Sequence, residues 1–131
     1  MEEKPTILII DDSDEFREIL KIKLTLEKFE IIEAKNGNEA LELLKTQKPD
    51  IILLDLLMPG MSGIDVYLAI KSNPEIKDLK IIFLTSMDII DDEITKNNQQ
   101  ISEELLKVPY INKTKSLDEI VEKIRQEINT N

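Results

Sequence analysis

Apolar residues recur along this chain in two rhythms. Four short runs are apolar at nearly every position, TILII (6–10), IILL (51–54), KIIFL (80–84) and VPYI (108–111), and FEIIEA (29–34) is a weaker fifth. Runs apolar on both faces suit parallel strands covered by helices on each side. Between them the period lengthens to that of helices: Phe16, Leu20 and Leu24 fall at i, i+4 and i+8. Ala40, Leu41 and Leu44 follow the Asn36-Gly37 turn, Ile64, Val66, Leu68 and Ile70 follow Gly63, and Ile120, Ile124 and Ile128 make a last stripe. Ser62 with Asp65 and Ser116 with Glu119 have capping-box spacing, and Asn38 is placed to cap the second helix. The predicted order is β-α repeated five times, an α/β fold with a doubly wound parallel sheet and right-handed crossovers. Residues 87–107 resist this parse. Ile90, Ile94, Ile101 and Leu105 can share one helical face, but Asn97-Asn98-Gln99-Gln100 puts weak helix formers at its middle, so one helix and two both fit.

Composition narrows the chemistry. The 131 residues, 41% hydrophobic, suffice for one domain over 1–131 with its own core. There is no cysteine, hence no disulfide or thiol nucleophile, and no histidine, which removes histidine catalysis and the usual zinc sites. Carboxylates, hydroxyls and lysines remain. The acidic start MEEKPTILIIDD has too short an apolar run for a secretory signal, and Asp55 breaks the run at 51–58, so a soluble, cytoplasmic protein is expected. A net charge of −10 opposes direct nucleic-acid or membrane binding.

In open α/β sheets, ligands bind beyond the carboxyl ends of the strands. There the sequence puts Asp11-Asp12 after the first strand, Asp55 after the third, Thr85-Ser86 after the fourth and Lys113 after the fifth. Three clustered carboxylates repel one another, and a cation relieves them. Oxygen donors without His or Cys suit Mg²⁺ or Mn²⁺. Lys113 adds a point charge for a phosphate oxygen and Thr85 a hydroxyl donor, which makes a phosphoryl site with a carboxylate nucleophile. Each residue also has a plainer use: Asp12 with Glu15 can cap the first helix, Thr85 or Ser86 the next, Asp11 can be a solvated acid and Lys113 a surface lysine. Asp55 is the hardest to dismiss, because a carboxylate closing a doubly buried strand is costly without a partner.

The elements IIDDS (9–13), LLDLLMPGMSG (53–63), FLTS (83–86) and YINK (110–113), in that order, resemble the receiver domain of two-component response regulators over nearly the whole chain. The resemblance implies a flavodoxin-like sheet of order 2-1-3-4-5 with five helices. It implies that Asp55 accepts a phosphoryl group, that Asp11, Asp12 and the backbone carbonyl of Leu57 join Asp55 in holding Mg²⁺, that Lys113 binds phosphate, and that Thr85 and Tyr110 are a switch pair. It further implies a sensor histidine kinase or a small acyl phosphate as donor, a downstream protein contacted through residues 87–113, and no catalysis beyond the domain's own phosphorylation and dephosphorylation. Thr114 departs from the family by standing where proline usually follows the lysine, and the stretch from Thr85 to Tyr110 is longer than usual. Two rivals remain. A haloacid-dehalogenase-like phosphatase expects a second aspartate where Leu57 stands, and a receiver-like binding module would act without phosphate. No G-x-G-x-x-G follows any strand, which excludes a dinucleotide site.

Overall fold

The computed structural model describes residues 3–86 and 99–130, and in the helix beginning at Gln99 the side chains from Glu103 onward. Its elements are β1 (Thr6–Ile10), α1 (Asp14–Leu26), β2 (Glu30–Ala34), α2 (Gly37–Leu43), β3 (Ile51–Asp55), α3 (Gly63–Lys71), β4 (Lys80–Thr85), α4 (Gln99–Leu106), β5 (Tyr110–Asn112) and α5 (Leu117–Ile128). The five strands are parallel in the order β2-β1-β3-β4-β5, as the resemblance implies. The question of one helix or two within 87–107 lies partly outside the described residues, with α4 accounting for its end.

Alternation within each apolar run decides which layer a side chain joins. Ile7, Ile9, Ile51, Leu53, Ile82, Leu84 and Ile111 face one side and pack under Leu20 and Leu24 of α1 and Ile120, Val121 and Ile124 of α5. Their neighbours Leu8, Ile10, Ile52, Leu54, Ile81 and Phe83 face the other, under Ala40 of α2, Val66, Tyr67 and Ile70 of α3 and Leu105 of α4. β3, the central strand, is buried at every position. The two faces explain why the runs read as continuous: each strand has a core on both sides.

The helix starts are set by short polar side chains. The Ser62 hydroxyl accepts from the Asp65 N–H while an Asp65 carboxylate oxygen accepts from the Ser62 N–H, a complete capping box. The Ser116 hydroxyl accepts from the Glu119 N–H. Three expectations need correction. α2 is capped by Asn36, whose Oδ1 accepts from the Glu39 N–H at 2.8 Å; Asn38 is already the second residue of the helix, past the cap position. α1 is capped by Ser13 and not by Asp12, which leaves the Asp12 carboxylate available to the strand-end cluster. The last strand starts two residues later and ends one residue later than the expected 108–111. Pro109 has no N–H to give and contributes only its carbonyl, to the Phe83 N–H, while Asn112 pairs with Thr85.

Candidate functional site

Strand alternation also builds the site. Asp11 continues the parity of Ile7 and Ile9, Asp55 that of Ile51 and Leu53, and Lys113 that of Ile111, so all three emerge on the α1/α5 side at the carboxyl end of the sheet. Asp11, Asp12 and Asp55 each offer a carboxylate oxygen, and these oxygens lie within 4.8 Å of one another. Asp11 is fully buried and Asp55 nearly so, at 4% exposure, whereas Asp12 faces solvent.

Lys113 is the counter-charge. Its own N–H donates to the Thr85 carbonyl at 2.7 Å, which fixes the chain just beyond β5, and its side chain returns over the sheet end. There Nζ sits 2.6 Å from Asp11 Oδ2 and 3.4 Å from Asp55 Oδ2, and 4.7 Å from the centre of the Phe16 ring. The remaining oxygens take backbone donors: Asp11 Oδ1 accepts from the Ser13 N–H at 2.9 Å and Asp55 Oδ1 from the Leu57 N–H at 3.3 Å. One lysine does not balance the cluster. Burial, and then the charge of Asp11, push the Asp55 carboxyl up to about 6, against the opposing pull of Lys113.

The loop after β3 answers to its glycines. Gly63 starts α3 so close to the strand end that a Cβ there would lie 2.2 Å from the Asp55 carbonyl oxygen and 2.7 Å from Leu56 Cα, and its N–H donates to the Leu56 carbonyl at 3.0 Å. Gly60 turns the loop at φ +79°. Leu57 leads into this loop with its side chain half exposed.

Thr85 ends β4 and is buried, at the parity of Ile81 and Phe83 and hence toward the α3/α4 layer. Tyr110 opens β5 opposite Phe83 with about half its surface exposed. The two implied switch residues thus stand on adjacent strands, two registers apart. Thr114 does what a proline cannot: its N–H donates to Asn112 Oδ1 at 2.9 Å, and its hydroxyl to the same oxygen at 2.7 Å. No cis peptide bond occurs among the described residues.

Arg17 carries no distinguishing signal in the sequence, and Phe16 reads there only as the first residue of the α1 apolar stripe, yet both stand at the site. Arg17, with its side chain 11% exposed, donates through Nη1 to the Asp11 carbonyl at 2.6 Å and through Nε to Glu33 of β2 at 3.3 Å, and its Nη2 pairs with Asp14. One guanidinium therefore clamps the β1–α1 turn that carries both acids to the edge of the sheet. In the sequence Arg17 is marked only by its place one turn beyond the helix cap, and arginines on first turns are ordinary.

A parallel sheet of this order, with three acids and a lysine gathered at its strand ends, defines a flavodoxin-like domain with an acidic pocket. The chain belongs to the response regulator receiver domain family, whose model matches residues 7–125. The phosphate regulon transcriptional regulatory protein PhoB of Pseudomonas aeruginosa is 38% identical over 68% of this chain and 39% of its own length, and the probable transcriptional regulatory protein TcrX of Mycobacterium tuberculosis is 31% identical over 92% of this chain and 48% of its own. The matches span two fifths or less of the first curated relatives' lengths, 38%, 39% and 19%. Among solved structures, chemotaxis protein CheY4 of Vibrio cholerae has the same fold, with a TM-score of 0.82, 22% identity and coverage of 95% of this chain and 99% of its own. Response regulator protein TrrA of Thermotoga maritima, in complex with Mg²⁺-BeF, is 34% identical over 93% of this chain and 97% of its own, with a TM-score of 0.75. Among the described residues no helix is long and apolar enough to cross a membrane.

Proposed function

We propose that this domain is a phosphoacceptor switch of a two-component system, in which Asp55 takes a phosphoryl group in a Mg²⁺-dependent reaction. The observation that carries the reading is the convergence of Asp11, Asp12, Asp55 and Lys113 at the ends of β1, β3 and β5. The donor set fits a hard divalent cation. It is all oxygen, and the buried Asp11 Oδ2 has no aligned hydrogen bond, only the ammonium of Lys113 beside it, so it retains coordinating capacity. Asp11, Asp12, Asp55 and the Leu57 carbonyl would hold the ion, with Mn²⁺ as a substitute. Bound there, the cation supplies Lewis-acid neutralisation of phosphoryl oxygens. The Mg²⁺-BeF complex of the relative TrrA supports this choice.

The chain's own residues perform the transfer. An Asp55 carboxylate oxygen forms the new P–O bond while the bond from phosphorus to the donor breaks, and the donor departs with the bonding electrons. The donor is a phosphohistidine of a sensor histidine kinase or a small acyl phosphate. Lys113, already 3.4 Å from Asp55, moves onto a phosphoryl oxygen as charge builds there. Thr85 then offers its hydroxyl to the same group, and its displacement with Tyr110 alters the surface read by a downstream protein through residues 87–113. The output is a shift in population, not turnover, and the domain catalyses nothing beyond its own phosphorylation and dephosphorylation. The phosphatase alternative lacks its second carboxylate, since Leu57 stands two residues after Asp55 with a half-exposed apolar side chain.

Incubation with acetyl phosphate and Mg²⁺ should add one phosphoryl mass to the intact protein, and chelation with EDTA should prevent it. No mass gain under conditions where the metal demonstrably binds would leave the phosphate-independent binding module as the better reading. Arg17→Ala should weaken Mg²⁺ binding by about tenfold, because the Asp11 carbonyl loses its clamp and the acidic turn loosens. Unchanged affinity by titration calorimetry would reduce Arg17 to a surface ion pair.

A further inference from the structure

We propose that Phe16 is a positioning residue for Lys113, a neutral seat that keeps the ammonium at the strand end while its anionic partners change. This rests on the phosphoacceptor reading above. The Lys113 Nζ lies 4.7 Å from the Phe16 ring centre, inside the range at which a ring's negative face attracts a cation. The backbone of Phe16 is tied to the loop that carries the acids: its N–H donates to the Ser13 hydroxyl at 3.1 Å, and the Ser13 N–H donates to Asp11 Oδ1 at 2.9 Å. Ring, ammonium and acidic pair are therefore held together from one turn of α1.

The need for such a seat follows from the partners Lys113 has. Its shortest contact, 2.6 Å, is to Asp11 Oδ2, and its contact to Asp55 Oδ2 is 3.4 Å. Both are lost or weakened once Asp11 turns to a cation and Asp55 becomes an acyl phosphate with its charge moved outward. An ammonium on a flexible four-carbon stem, 18% exposed, would then be free to leave for water. Attraction to the ring face depends on neither carboxylate. It persists through the exchange of Asp11 for a phosphoryl oxygen. Phe16 also packs against the core beneath α1 and α5, so a purely structural role predicts that leucine, which keeps apolar bulk, serves equally well.

The test compares Phe16→Leu and Phe16→Tyr, each alone and in the Lys113→Ala background. In metal-free protein, the Lys113 ε-methylene protons should be shifted upfield by the ring in wild type and in Phe16→Tyr, and return to an ordinary position in Phe16→Leu. With acetyl phosphate and Mg²⁺, Phe16→Leu should be phosphorylated about three- to tenfold more slowly, and Phe16→Tyr at nearly the wild-type rate. In the Lys113→Ala background the Leu substitution should cause no further slowing. An unshifted ε-methylene in wild type, a Phe16→Leu rate equal to wild type, or equal slowing with and without Lys113 overturns the role of the ring. A wild type that takes no phosphoryl group sinks the phosphoacceptor reading itself and the transfer role with it.

Discussion

Asp55→Asn should never gain the phosphoryl mass, and in metal-free buffer at neutral pH it should be more stable than the parent. The two outcomes share a cause. A carboxylate only 4% exposed, beside Asp11, is a good nucleophile in the wrong solvent, and its ionisation is opposed until about pH 6. Its folded value lies above its unfolded value near 3.8, so between the two the native state binds the proton and the unfolded state does not. The sign follows: stability from this group is fully present below about pH 4 and is lost as pH rises to about 6. Asparagine carries no charge and removes that loss. The gap in melting temperature between variant and parent should therefore widen from pH 4 to pH 7 with chelator present, and close when Mg²⁺ is added to the parent. A gap that stays flat across this window would mean that Asp55 is ionised without penalty, and that the cluster does not need a cation.

Gly63→Ala should be the most damaging small substitution in the chain. Its added methyl would meet the Asp55 carbonyl oxygen at 2.2 Å and Leu56 Cα at 2.7 Å, both backbone atoms that cannot rotate aside. Either α3 backs away from the strand end or β3 bends at the residue carrying the acceptor. The expected cost is about 3 kcal/mol or more, which for a domain of this size lowers the melting temperature by roughly 10 °C. Mg²⁺ affinity should fall with it, because the displaced carbonyl belongs to Asp55. Gly37→Ala offers a contrast. The atoms a Cβ would meet there, Met61 Sδ and Val66 Cγ2 at 2.6 Å, belong to side chains and not to backbone; Met61 can swing aside although the buried Val66 is stiffer, so a smaller loss is expected. Similar losses at both positions would show that the acceptor loop has more room than its backbone suggests.

The strands were legible because each has a core on both faces, which leaves no solvated side to interrupt the runs at 6–10, 51–54 and 80–84. What misled was local. Asp12, Ser13, Asn36 and Asn38 are all good cap residues, and the choice among them depends on where the strand releases the chain, a tertiary fact. The same holds at β5: Val108 and Pro109 belong to the apolar run, yet pairing with Phe83 and Thr85 begins at the Pro109 carbonyl and reaches Asn112. The acids and Lys113 could be found because strand ends are predictable places. Arg17 and Phe16 could not, because what distinguishes them is the company they keep across the sheet, Glu33 and Lys113, at sequence separations no periodicity reports.

The shared parity of Asp11, Asp55 and Lys113 makes the pocket a gauge of alignment. A slip of one residue in β1, β3 or β5 would send the corresponding side chain to the opposite face of the sheet, and the pocket would lose an acid or its lysine outright. Slips that keep hydrophobic area buried, and so go unnoticed by stability alone, cannot go unnoticed here. A cation titration at this site therefore reports whether three strands brought together from distant parts of the chain have found their proper partners.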